Sequence, residues 1–164
     1  MQLPLDVAPS VTRVDSLDSF RAAVSSSFVP LQVDTDSDAP FHATLSAAGA
    51  DGVVFTEVNA RPQLVRRTEQ TIADGGSGFY KVSLLLSGTG ILIQDGREIV
   101  MQPGDLSFYD TSRPYSLLFN EQFRNLIMMF PKDRLELPPA LTDALTAVSL
   151  REQHDLAKAI APFI

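Results

Sequence analysis

A mainly β chain with helices flanking a small barrel is the fold the sequence predicts. Three observations carry that expectation. Between Phe41 and Phe130, short apolar-rich runs are separated by Gly, Pro, Asn and Asp at spacings of about eight to twelve residues, the rhythm of a sandwich or barrel. Asp95-Gly96 sits between two apolar runs, a strong two-residue hairpin signal. Helical periodicity is confined to the two ends. With 164 residues and 45 % hydrophobic content, the chain is long enough for one domain with a real core.

Taken in order, residues 1–40 read as an N-terminal helix and an acidic loop. In "VDSLDSFRAAVSSSF" the residues Leu17, Phe20, Val24 and Phe28 recur at helical spacing and form one apolar stripe. Asp15 is the expected N-cap, with Asp18 placed to meet the helix dipole. Pro30 and "DTDSDAP" end the helix.

Residues 41–131 read as the barrel. The candidate strands are "FHATLSAAG", "GVVFTEVNA", "QLVRRTEQ", "FYKVSLLLS", "GILIQDG", "REIVMQ", "DLSFYD", "YSLLF" and "FRNLIMMF". Pro103-Gly104 and Arg113-Pro114 punctuate the later connections. "YKVSLLL" and "LIMMF" are apolar at successive positions, which predicts strands covered on both faces. The cover is expected from residues 132–164. There "PPALTDALTAV" puts Leu141, Leu145 and Val148 on one helical face, and Ser149 with Glu152 fits a capping box. A last helix then aligns Leu156, Ile160 and Ile164 at steps of four.

Composition narrows the function. The chain holds 13 Lys and Arg against 20 Asp and Glu, a formal charge of −7, and a net-acidic chain is a poor partner for nucleic acid. It contains no cysteine, which excludes disulfides, thiolate metal sites and cysteine nucleophiles. The start "MQLPLDVAPS" has neither a basic segment nor an apolar core, so no signal peptide is expected. The run from Leu126 to Phe130 is far too short to cross a bilayer. A cytoplasmic protein without a membrane partner is the expectation.

The central pattern resembles the cupin fold, whose two motifs supply metal ligands. Laid on "GDLSFYDTSRPYS" from Gly104, the second motif's histidine position falls on Tyr115 and its asparagine position on Phe119. The first motif's closing glycine fits Gly88, which puts Lys81 at the glutamate position and the two histidine positions within "ADGGS". None of these residues suits a divalent cation, and a lysine ammonium repels one. The two histidines, His42 and His154, lie on different elements. No metal and no cofactor is therefore expected. Cofactor-free acid/base chemistry, with His42 as base and Tyr80, Tyr109 or Tyr115 as acid, stays an alternative. "GGSG" matches neither a serine-nucleophile turn nor a phosphate cradle.

A tighter resemblance rests on "SFRAAVSSSFVPLQV", "VRRTEQTIA", the run from "FYKVSLLLSGTG" through "QDGRE", "PGDL" and "YDTSRPY", and "FRNLIMMFPKDRLE". Together these are similar to the N-terminal regulatory domain of AraC/XylS-type transcription regulators, whose barrel is a cupin of the jelly-roll type. That resemblance implies a small organic effector or a bare dimer contact in place of a metal. It implies a homodimer formed through Leu156, Ile160 and Ile164, with packing of that helix on its own barrel as the alternative, and no catalysis. DNA would be read by a helix-turn-helix domain absent from this chain, which stops at "LAKAIAPFI". Barrel-facing candidates for the effector pocket are Tyr80, Val82, Leu84, Phe108 and Tyr115, with plain core packing the alternative for each, because small barrels are normally filled by side chains. Of the neighbours Arg66 and Arg67, at most one can point inward; Arg66 is carried as a ligand candidate, and a surface ion pair is the expected role for either. Asp105 is expected to accept backbone hydrogen bonds, and Arg97 and Glu98 to be solvated. Alternatives are a cupin enzyme, either a metal-dependent one or a cofactor-free isomerase or epimerase, and a ligandless structural dimerisation module.

Overall fold

The computed structural model describes residues 6–148, with side chains from residue 8 onward. Its strands are β1 (Asp6–Val14), β2 (Gln32–Asp34), β3 (Ala43–Ala50), β4 (Val53–Ala60), β5 (Gln63–Arg67), β6 (Phe79–Ser87), β7 (Gly90–Gln94), β8 (Arg97–Met101), β9 (Leu106–Asp110), β10 (Tyr115–Phe119) and β11 (Phe123–Pro131). The helices are α1 (Leu17–Ser27), α2 (Glu69–Asp74) and α3 (Pro139–Leu145), with one 3-10 turn at Lys132–Arg134. The strands form two antiparallel sheets ordered β1-β3-β4-β11-β6-β9 and β2-β5-β10-β7-β8. Because consecutive strands repeatedly switch sheets, the result is a jelly roll of the cupin type, the fold class expected from the sequence.

All nine quoted strand segments contain a strand, because each is half or fully buried and carries an apolar pattern. The Asp95-Gly96 turn adopts φ of 55° and 74° at its two residues, the type I′ geometry of a two-residue hairpin. The Asp105 carboxylate accepts from the Gln102 backbone N–H at 2.8 Å, closing the turn before β9.

Three elements were not foreseen, and each lacked a readable period. β1 lies at a sheet edge with most of its residues exposed (Val11 is 61 % exposed), so neither face imposes alternation. Pro9 is tolerated there beside a register shift between Val7 and Ser10. β2 has three residues and α2 six, too few for a signature. Residues 1–40 are consequently not a separate helix and loop, since β1 pairs with β3 and β2 with β5. The segment "TEQ", read as strand, turns into α2 at a capping box between Thr68 and Thr71. The N-cap of α1 is Ser16 rather than Asp15: the Ser16 hydroxyl accepts from the Ser19 N–H at 3.1 Å.

The two-sided burial of β6 and β11 is present. Inside lies the main core, including Leu45, Val58, Leu85, Leu92, Leu117 and Ile127. Outside the six-stranded sheet, Tyr80, Val82, Phe108, Met128 and Phe130 pack under Leu135 and Leu145 of the tail. α3 buries Leu145 and Thr142, while Leu141 is half-buried and Val148 follows the helix. Ser149, Glu152, Leu156, Ile160 and Ile164 lie outside the described residues.

Arg97 departs from its expected solvated role. Its guanidinium donates to the backbone oxygens of Thr146 at 2.7 Å and Asp143 at 2.6 Å. Arg113 bridges Asp95 at 2.9 Å and Asp143 at 3.1 Å, Lys132 meets Asp110 at 2.7 Å, and the Ala147 N–H donates to Phe108 O at 3.1 Å. These bonds clasp the tail to β9 and to the hairpin.

Gly88 has φ of +84°, and a Cβ there would sit 2.7 Å from Gln122 O and 2.9 Å from Phe123 Cβ. Gly96 is also left-handed (φ +74°) but has nothing within 4 Å. Gly88→Ala is therefore expected to cost about 2–3 kcal/mol and Gly96→Ala about 1 kcal/mol, measured by urea unfolding. Equal losses would contradict the steric account.

Candidate functional site

The barrel interior holds a cavity of about 30 Å³. Its walls are mainly apolar: Val58, Val65, Leu117, Ile127, Phe119 and Phe123 from the strands, with Phe20, Val24 and Phe28 supplied by α1 and the residue following it. That volume holds one water molecule, so the barrel is almost filled by its own side chains.

Set into this apolar wall is a small polar cluster. Lys81 projects inward from β6, 2 % exposed, and its Nζ donates to the Tyr115 hydroxyl at 2.9 Å. The amine lies 4.6 Å from the Phe28 ring centre, 5.5 Å from Tyr115 and 5.8 Å from Tyr109. Tyr109 stacks edge-on to Tyr115 with ring centres 4.8 Å apart and shares a 2.8 Å hydrogen bond with Ser83. Lys81 and Tyr115, 34 residues apart in sequence, are the residues at the cupin glutamate and histidine positions. The fold brings them into contact as it would bring two ligands, but an ammonium repels a cation and a protonated phenol is a poor ligand for one.

Burial drives the Lys81 amine down to about 7, and the positive charge of Arg67 adds to the effect. Burial pushes the Tyr115 phenol well up, reinforced by Tyr109, and pushes Tyr109 up as well against the opposing hydrogen bond from Ser83.

Arg67 and Arg66 divide as neighbours on a strand must. Arg67 is buried and spends its donors on four backbone carbonyls: Thr111 at 2.9 Å, Pro30 at 3.0 Å, Thr71 at 2.8 Å and Gly75 at 2.6 Å. Arg66 faces solvent and pairs with Asp34 at 3.1 Å. The expected surface ion pair is therefore found for Arg66 but not for Arg67, and Arg66 does not reach the cavity.

Of the other candidates, Tyr115 lines the cavity. Tyr80, Val82 and Phe108 belong to the outer cluster beneath the tail, and Leu84 is half-buried on that same face. The β6 face that lines the cavity is the opposite of the expected one, for a simple reason. Both faces are apolar except at Lys81 and Ser83, and reading those two polar residues as outward inverts the strand. The signal that would have fixed the register is the pair of motif positions Lys81 and Tyr115, which must converge. His42 is exposed, beside Arg13, Asn59 and Gln122 in a shallow surface groove, and is not among the residues that line the cavity with Tyr109 and Tyr115. Among the described residues, no three His, Cys, Asp or Glu side chains converge as a metal site, and no helix is long and apolar enough to cross a membrane.

Residues 20–164 match the model of the AraC-binding-like domain. The chain belongs to this family. A curated relative, an uncharacterized protein in the nit 5′ region of Bacillus sp. (strain OxB-1), is 33 % identical over 116 residues, which cover 71 % of this chain and 45 % of the relative. The chain thus spans about half of that protein's length. Among solved structures, the AraC-like transcriptional activator CuxR superposes with a TM-score of 0.64 at 17 % identity, covering 82 % of this chain and 57 % of CuxR. A cupin superfamily protein from Desulfitobacterium hafniense gives a TM-score of 0.45 at 15 % identity over 60 % of this chain and 83 % of its own. Family membership makes this a regulatory-type ligand-binding domain.

The two arginines are expected to differ sharply on substitution. Arg67→Met should cost about 3–5 kcal/mol, because several buried carbonyls lose their donors, whereas Arg66→Ala should stay within about 0.5 kcal/mol. Similar losses in chemical denaturation would refute the assignment.

Lys81 makes stability depend on pH with a defined sign. Below its folded value of about 7, both states bind the proton and the folded state bears the full cost of a buried charge. Between there and about 10, where a free lysine titrates, the unfolded state alone keeps the proton, so stability rises by up to about 1.4 kcal/mol per pH unit. Above about 10 the raised phenols of Tyr109 and Tyr115 reverse the trend. Unfolding curves from pH 6.5 to 9.5 should show this rise in the parent and a flat profile in Lys81→Met. Parallel profiles would sink it.

Proposed function

We propose that this chain is the effector-sensing and dimerisation domain of an AraC-type transcription regulator, with a small organic effector bound inside the barrel and no catalytic role. The observation that carries this reading is the buried Lys81–Tyr115 pair in a mainly apolar cavity, at the positions where the cupin resemblance puts metal ligands, in a member of this family. DNA binding is assigned to another part of the whole protein. In support, the chain's charge is −7, and it covers 45 % of the curated relative and 57 % of CuxR. Homodimerisation through Leu156, Ile160 and Ile164, and a cytoplasmic location, belong to the same proposal.

Entry of an effector requires a wall to yield, since the cavity is only about 30 Å³. The strand walls are held by ladder hydrogen bonds. α1 contributes Phe20 and Val24 by packing and is tied to β2 by Arg21, which donates to Val33 O at 2.7 Å and meets Asp34 at 3.3 Å. Displacement of α1 is the cheaper movement. β9 offers a route outward, because Tyr109 faces the cavity while its neighbours Phe108 and Asp110 hold the tail. Effector binding would bias the tail only if it favours one of two arrangements.

The small cavity volume favours a second reading, a ligandless structural dimerisation module. A thermal-shift screen with aromatic acids, amines, sugars and fatty acids separates the two. An effector at a hundred times its dissociation constant adds about 2.7 kcal/mol, a rise of about 5–10 °C at this size. No shift across the library would reject the sensing role and leave the structural module.

A further inference from the structure

The amine of Lys81 has three N–H bonds when protonated, and among the described residues it has one hydrogen-bond partner, Tyr115. No carboxylate contacts it there. The ion pairs of the described residues involve other cations. Tyr115 accepts from Lys81, and its own O–H donates to no described residue. The buried carboxylate Asp110 is committed on the outer face to Lys132 and Arg113. Inside, the charged groups are Lys81 and Arg67, both positive, and the donors of Arg67 are taken up by carbonyls. Such an interior lacks an anion.

At the other end of the cavity, Asn125 is 1 % exposed and its Oδ1 has no hydrogen-bond partner. Met129 lies opposite Lys81 across the β6–β11 ladder. Asn125 precedes Met129 by four residues, on the order of 13 Å along the strand. Gln63 lines the same end. Between these polar ends the wall is apolar.

Building on the sensing role proposed above, we infer that the barrel takes a compact apolar monocarboxylate, its carboxylate on Lys81 Nζ and the Tyr115 hydroxyl and its body along the apolar walls toward Asn125. A sugar would strand most of its hydroxyls against apolar walls. An amine would face Lys81 and Arg67 as like charges. A dicarboxylate would leave its second charge unpaired. A single hydrogen-bond donor at the ligand's far end would satisfy Asn125 Oδ1.

The proton balance follows. The charged and titratable groups facing the amine are Tyr115 from β10, Tyr109 from β9 and Arg67 from β5; α1 and the residue after it present Phe20, Val24 and Phe28. The phenols stay protonated below pH 9 because burial raises both. Lys81, near 7 when the cavity is empty, must be protonated to pair with the anion, so binding above pH 8 takes up close to one proton, and affinity falls up to tenfold per pH unit.

The test is isothermal titration of the chain with hexanoate and 3-phenylpropanoate against their matched primary amides, at pH 7 and 8.5 and in two buffers of different ionisation enthalpy. The acids are expected to bind at least thirtyfold tighter than the amides at pH 7, with proton uptake near one at pH 8.5. Lys81→Met, shown folded by its melt, should erase the preference for acid over amide, and Tyr115→Phe should weaken the acids three- to tenfold. Equal binding of acids and amides, or an acid preference that survives in Lys81→Met, overturns the inference. If neither acid binds while another class in the thermal-shift library does, the inference fails and the sensing role stands. If nothing in either set binds, both fail.

Discussion

The guanidinium of Arg67 holds three chain segments by four carbonyl oxygens: the connection after α1 at Pro30, α2 at Thr71 in its first turn and at its C-cap Gly75, and the turn after β9 at Thr111. Together with the Thr111 hydroxyl, which donates to Gly76 O at 2.7 Å, the Arg67 side chain ties the lip of the barrel together. A lysine could not do this, because one ammonium cannot spread its donors across so many acceptors. The same charge contributes to lowering the Lys81 amine. Architecture and the electrostatics of the cavity thus meet in one residue.

The two faces of the six-stranded sheet then serve different ends. Lys81, Ser83 and Tyr109 face inward, while Tyr80, Val82 and Phe108 face outward under Leu135 and Leu145. Because inward and outward residues alternate along β6 and β9, a shift of the cavity wall is a shift of the surface on which the tail rests. The clasp of Arg97, Arg113, Asp95 and Asp143 sets the tail's position over that surface. Under the proposed sensing role, the response would run through α1 and that sheet.

Much of this was legible in the linear sequence. "QDGRE" announced its hairpin, since Asp-Gly accepts the left-handed backbone that the turn demands. "YKVSLLL" and "LIMMF" announced strands buried on both sides. Edge strand β1 and the short β2 and α2 were not legible, because exposure and brevity remove the period that burial imposes. On β6 the apolar character of both faces hides which one lines the cavity, and the sequence alone places Tyr80, Val82 and Leu84 inward. Arg66 and Arg67 could be separated only as opposites, without saying which was inside.

By itself, the sequence determined the β-rich class, the positions of the turns and the loss of every cupin metal ligand, because these depend on residue type and local spacing. Which face of β6 is inside, and that Lys81 meets Tyr115 across 34 positions of chain, was decided by tertiary structure. A contact of that range depends on strand register and sheet order, which only the packing of the two sheets against each other sets.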